Sequence, residues 1–139
     1  MEEFLSNSPD ETIKIGCEFS QKLKGGEIVS ITGELGTGKT VFVKGIARGL
    51  EIDENEISSP SFTLMNIYKG KLNLCHVDLY RIKEDEHLEV EILEILDNNS
   101  LVVVEWAENL RRILQMSHWH VMIEMVNEEN RMIKINRRG

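Results

Sequence analysis

The chain has 139 residues, 41% of them hydrophobic and 29% charged, enough for one globular domain with a real core and too few for a second catalytic domain. A formal net charge of −8 argues against an unaided grip on nucleic acid, and no apolar run approaches membrane-spanning length. Cys17 and Cys75 stand far apart without partners at metal-ligand spacing, so two reduced thiols are expected rather than a zinc site. The acidic start MEEFLSNSPDE has neither the basic nor the apolar segment of a secretory signal, which points to the cytoplasm.

Glu2 to Ser6 reads as a short first strand. Ser8-Pro9-Asp10-Glu11 then marks a helix start, with a capping Ser8, Pro9 in the first turn and Glu11 at capping-box spacing. The helix is expected to run to about Leu23 and to stop at Gly25-Gly26. Ile13, Cys17, Ser20 and Lys24 share one side of it, with Gly16, Phe19 and Leu23 beside them, the pattern of a packing helix.

Glu27 to Leu50 organises the rest. Ile28, Val29 and Ile31 form a strand pattern, and Val41, Phe42, Val43, Ile46, Ala47 and Leu50 form a helix pattern. Between them, Gly33-Glu34-Leu35-Gly36-Thr37-Gly38-Lys39-Thr40 fills every position of G-x-x-x-x-G-K-[ST], in the strand-to-helix context that a chance glycine-rich turn would lack. Such a loop holds phosphate through backbone N–H groups that curl around the anion, aided by the positive end of the following helix. Lys39 is expected to reach the β and γ phosphates of a nucleotide, and the Thr40 hydroxyl to ligate Mg²⁺.

Beyond the acidic turn at 51–56, Ser58-Ser59-Pro60-Ser61-Phe62-Thr63 surrounds a proline with hydroxyls: a polar loop leading into a strand, or a switch that senses the γ-phosphate. Phe62 to Tyr68 and Leu72 to Tyr80 read as the strands of a hairpin across Lys69-Gly70-Lys71. Alternation places His76, Asp78 and Tyr80 on one face of the second strand, more polar groups than a solvated edge needs. Glu84 to Asp97 is helical, with Leu88, Ile92, Ile95 and Leu96 as its apolar stripe and Glu89 among the acids of a solvated face.

Leu101-Val102-Val103-Val104 is an unbroken branched run, as in a central parallel strand covered on both faces, and it ends in Glu105 where α/β sheets bind ligands. Glu105 is therefore assigned to the metal with Thr40, through water. Asp78 is the rival; its strand belongs to a hairpin, so it is given the role of orienting the attacking water or the switch loop. Trp106 is either plain core or a link between nucleotide state and a partner surface. A short helix bearing Arg111 and Arg112 follows, then a second hairpin from His118 to Val126 and Arg131 to Asn136, with Arg137-Arg138 as a solvated tail. Met116, Met122, Met125 and Met132 are expected to fill gaps in the core or at an edge. The whole is expected to be one α/β domain of the P-loop NTPase class, three-layered, with a mixed sheet that has a parallel centre and antiparallel hairpins.

GELGTGKT at 33–40, SSPSFTL at 58–64, HVDLYR at 76–81 and VEWAE at 104–108 occur in the order and spacing of the TsaE (YjeE) family, which the chain resembles over nearly its whole length. That family usually has SPTF, where this chain carries Ser61 in place of the threonine. The resemblance implies a slow Mg²⁺-dependent ATPase, with ATP and Mg²⁺ as cofactors, in the machinery that makes threonylcarbamoyladenosine in tRNA. It further implies TsaB and TsaD as partner subunits, carbamoyl transfer on TsaD, contact with tRNA only through the complex, and a nucleotide-driven reset as this chain's part. It matches Thr40 and Glu105 to metal positions, the loop from Thr37 to Thr40 to phosphate contacts, and Thr12 and Arg131 to neighbours of the adenine or ribose. Three other readings remain. A small-molecule kinase would need an acceptor-binding insertion and an arginine-bearing lid, a GTPase would need an N-K-x-D motif that the sequence lacks, and a nucleotide sensor would share the same loop without turnover.

Overall fold

The computed structural model describes residues 1–34, 36–58, 64–80 and 86–139, with every side chain in these ranges except those of Glu86 and Asn109. A seven-stranded mixed sheet runs in the order β1-β7-β6-β2-β5-β4-β3. The strands are β1 (Glu2–Ser6), β2 (Ile28–Thr32), β3 (Met65–Tyr68), β4 (Asn73–Asp78), β5 (Ser100–Glu105), β6 (His118–Met125) and β7 (Arg131–Arg138). The helices are α1 (Pro9–Ser20), α2 (Lys39–Gly49), α3 (Glu86–Ile95) and α4 (Arg111–Gln115). The four strands β6, β2, β5 and β4 are mutually parallel, while β1 and β7 extend one side and β3 the other in antiparallel pairing.

Two apolar layers explain why the sheet lies between helices. Val29, Ile31, Leu101, Val103, Val121 and Ile123 face α1 and α2, where Phe19, Phe42, Val43 and Ile46 cover them. On the opposite face Ile28, Val102, Val104, Cys75 and Val77 pack against Leu88 and Ile92 of α3 and Ile113 of α4. Complete burial of each such aliphatic side chain contributes roughly 1.5–3 kcal/mol. The unbroken run in β5 thus has the cause expected of it, since successive residues feed alternate layers and both layers are dry. Cys17 and Cys75 are free thiols, and burial pushes that of Cys75 up to about 11.

α1 begins as its sequence predicts. Ser8 Oγ accepts the Glu11 N–H at 3.1 Å, Pro9 occupies the first turn, and Glu11 reaches back to the N–H of Asn7 at 2.9 Å. It ends at Ser20, a turn before Leu23, although Leu23 is still buried in the same layer. α1 and α2 touch through glycines: a Cβ on Gly45 would lie 2.2 Å from the Ile13 carbonyl oxygen and 2.9 Å from the Gly16 Cα. Their backbones therefore approach in a way no larger residue would permit.

Two expectations are corrected and one is extended. Glu89 is not on a solvated face; it is 5% exposed and its carboxylate accepts the Ile113 N–H at 2.7 Å, capping the start of α4 from α3. The second hairpin forms as expected, and β6 also pairs in parallel with β2 and so carries the sheet across the centre. Arg137 and Arg138 belong to β7 rather than a tail: Arg137 lies 4.9 Å from the Trp119 ring centre and donates to Ser117 Oγ at 2.7 Å. Met116 and Met125 are exposed at the edges of the structure. Among the described residues, no helix is long and apolar enough to cross a membrane.

Candidate functional site

The parallel strands all end on one side of the sheet, and the loop between β2 and α2 lies there. Gly33 leaves β2 with φ 153°, and a Cβ at this position would meet the Ile123 carbonyl oxygen at 2.6 Å and Thr37 Oγ1 at 2.8 Å. Gly38 precedes α2 at φ 104°, in the left-handed region that favours glycine. Among the described residues no side chain caps α2, which leaves its first-turn amides and positive dipole end to an anion. Thr37 is buried, and its hydroxyl closes the loop on the Glu34 carbonyl at 2.9 Å. Glu34 and Gly36 are exposed at the loop's rim, and Leu35 lies outside the described residues.

Lys39 folds back over this loop. Its ammonium donates to the carbonyls of Gly33 at 2.6 Å and Glu34 at 3.0 Å and lies 4.4 Å from the centre of the Trp106 ring. Burial lowers its pKa, opposed by the nearby carboxylates of Glu105, Asp78 and Glu108. Trp106 takes a left-handed backbone at φ 60°, which turns its ring back over the loop, and Tyr80 packs on it with ring centres 5.0 Å apart. Sequence patterning leaves Trp106 undecided, because a cation–π contact between residues so far apart in the chain has no local signature.

Thr40 Oγ1 lies 3.5 Å from Glu105 Oε2, and the same oxygen is 2.5 Å from His76 Nε2. Glu105 is 3% exposed and His76 fully buried. Sheet register brings them together: His76 pairs with Val103, and Asp78 pairs with Glu105 itself. On β4, Leu74 faces α1 and α2 while Cys75 and Val77 face away, so His76 and Asp78 point to the side on which Thr40 opens α2. The hairpin is accordingly no ground for setting Asp78 apart, since β4 is both a hairpin strand and the parallel neighbour of β5. Asp78 Oδ1 accepts the Tyr80 N–H at 3.0 Å. Tyr80 itself lies past the end of β4 and is exposed, so it does not continue the alternation of His76 and Asp78. The hydroxyl loop at 59–63 and Arg81 lie outside the described residues, while Ser58 is exposed at the loop's start.

Thr12 and Arg131 stand elsewhere, on the far flank of the loop. With Gly36, Thr37, Gly38 and Val41 they line a cavity of about 340 Å³. The Thr12 hydroxyl is 2.7 Å from that of Ser6. The Arg131 guanidinium donates to the carbonyls of Thr37, Asn127, Glu128 and Asn130 at 2.9–3.1 Å, tying the β6–β7 turn to the loop. A second cavity of about 540 Å³ opens between the loop's start, Trp106 and the end of β6, bordered by the exposed acids Glu34, Glu108 and Glu124.

Residues 6–133 match the family described as "Threonylcarbamoyl adenosine biosynthesis protein TsaE". The chain belongs to the TsaE family. It is 34% identical over 132 residues to the tRNA threonylcarbamoyladenosine biosynthesis protein TsaE of Treponema pallidum, covering 94% of this chain and 97% of that one. It is 34% identical over 145 residues to the protein of the same name from Aquifex aeolicus, covering 99% and 98%. Among solved structures, Bacillus subtilus YdiB superposes with a TM-score of 0.79 at 28% identity, covering 99% of this chain and 86% of that chain. A match of this extent to the TsaE family includes both flanks of the loop as well as the loop itself.

Proposed function

We propose that this chain binds ATP with Mg²⁺ and hydrolyses it slowly, as the nucleotide-driven subunit in threonylcarbamoyladenosine biosynthesis on tRNA. The observation that carries the ATPase reading is the approach of Thr40 Oγ1 and Glu105 Oε2 to 3.5 Å at the head of a helix whose amides no described side chain caps. A hydroxyl and a carboxylate are hard oxygen donors that suit magnesium, which is usually held by one or two protein groups together with substrate phosphates. Thr40 and, through water, Glu105 would hold it, and when bound it offsets charge on the phosphates.

The protein's own groups do the rest. Amides of the loop from Gly33 to Thr40 and of the first turn of α2 cradle the phosphates. Lys39 exchanges its carbonyl partners for the β and γ phosphate oxygens, staying over the Trp106 ring as it does so. Asp78, one strand from Glu105, orients the water that attacks in line. The cavity beside Thr12 and Arg131 takes the nucleoside end, with Arg131 fixing the loop's shape rather than reaching for the ligand.

In the same reading, TsaB and TsaD type subunits are the partners, and ATP turnover resets that complex for repeated rounds. The net charge of −8 fits a chain that meets tRNA only through such partners. The test is phosphate release by the chain alone and with purified TsaB and TsaD. Slow release alone and faster release with both partners is expected. Absence of hydrolysis in either condition, or transfer of phosphate to a small acceptor, would refute the reading.

A further inference from the structure

We propose that His76 is a positioning residue for the site: its Nε2–H holds the Glu105 carboxylate on the side of the sheet where Thr40 waits, and so sets how strongly Mg²⁺ enhances nucleotide binding. The inference rests on the functional reading of Thr40 and Glu105 and adds to it a residue that touches neither nucleotide nor metal. His76 is fully buried, and its Nε2 lies 2.5 Å from Glu105 Oε2. A carboxylate only accepts, so Nε2 carries the proton. The other ring nitrogen, Nδ1, is buried without a hydrogen-bond partner among the described residues.

That nitrogen, unpaired among the described residues, is informative. A side chain kept at this position only for packing would be better apolar, since an unpaired buried polar atom is destabilising. The neighbours at the same depth are apolar: Leu74 on β4 and Val103, directly across on β5, are both fully buried. What the imidazole supplies that leucine would not is the bond to Glu105. The carboxylate needs such a bond because it is itself 3% exposed, and the Thr40 hydroxyl stands at 3.5 Å. An outer group that orients a ligating carboxylate typically changes metal affinity by about 10–100-fold when removed.

The experiment measures affinity for a non-hydrolysable ATP analogue with and without Mg²⁺, in the full chain, for wild type and for His76→Leu, His76→Gln, His76→Asn and Glu105→Gln. The glutamine amide reaches the place of Nε2 and the asparagine amide does not, so the pair separates hydrogen bonding from bulk. His76→Leu and His76→Asn are expected to lose the Mg²⁺ enhancement by about tenfold or more while metal-free affinity stays near wild type, and His76→Gln is expected to keep most of it. Should His76→Leu fail to fold, the asparagine and glutamine variants decide alone. Wild-type enhancement in His76→Asn, or equal loss in His76→Gln and His76→Asn, would overturn the proposal. If Glu105→Gln itself retains full enhancement, the assignment of Glu105 falls instead, so the two failures are distinguishable.

Discussion

On one flank of the glycine-rich loop, side chains meet side chains: Thr40, Glu105 and His76 share a carboxylate oxygen, and Lys39 lies over Trp106. On the other flank a single guanidinium meets four backbone carbonyls, and the hydroxyl of Thr12 is paired with Ser6. The first arrangement gathers opposite charges that a triphosphate and a cation would redistribute. The second fixes backbone and leaves a cavity. Charge and shape are thus supplied from opposite sides of one loop, by strands β4 and β5 on the first flank and by α1 and the β6–β7 turn on the second.

The comparison breaks most visibly at Lys39. Lys39→Ala removes the ammonium that lies over the loop and should reduce ATP hydrolysis by more than about a hundredfold, read as phosphate release. Normal turnover would contradict the assignment of charge to this flank. Next, Glu105→Gln should weaken Mg²⁺-dependent nucleotide affinity by about 10–100-fold, whereas Asp78→Asn should chiefly slow hydrolysis. Loss of Mg²⁺-dependent affinity in Asp78→Asn alone would exchange the two roles.

The opposite flank sharpens the contrast with a different signature. Arg131→Ala should weaken nucleotide binding about tenfold equally with and without Mg²⁺, because it loosens the loop through Thr37 and leaves the acids untouched. Arg131→Lys should restore little of it, since one ammonium does not reproduce a planar fork with several donors. The smallest effect belongs to Ser8→Ala at the start of α1, which should lower stability by about 1 kcal/mol in thermal unfolding and leave nucleotide affinity unchanged.

How much of this was legible beforehand follows from where each signal lies. The loop from Gly33 to Thr40 is contiguous, so its residue types announce it, and the dry strand β5 announces itself by lacking alternation. The Ser8 cap is equally local. The pairing of His76 with Glu105 is not local, since it depends on β4 lying beside β5 in one particular register, and a hairpin seen in the sequence hides the parallel neighbour on the strand's other edge. Glu89 misleads for a related reason: among the acids of one helix, nothing in the sequence distinguishes the carboxylate that another helix's first turn will claim. Arg131 could be matched to the nucleotide's neighbourhood by resemblance, but its grip on backbone carbonyls leaves no trace in side-chain types.

The central claim is that a hydroxyl and a carboxylate brought together by α2 and β5 serve one cation beside a bound triphosphate. Calorimetric titration of wild type and Glu105→Gln with a non-hydrolysable ATP analogue, with and without Mg²⁺, tests it most directly. The account predicts a marked Mg²⁺ enhancement in wild type that is largely lost in the variant while metal-free affinity persists; an enhancement of equal size in both proteins would contradict it.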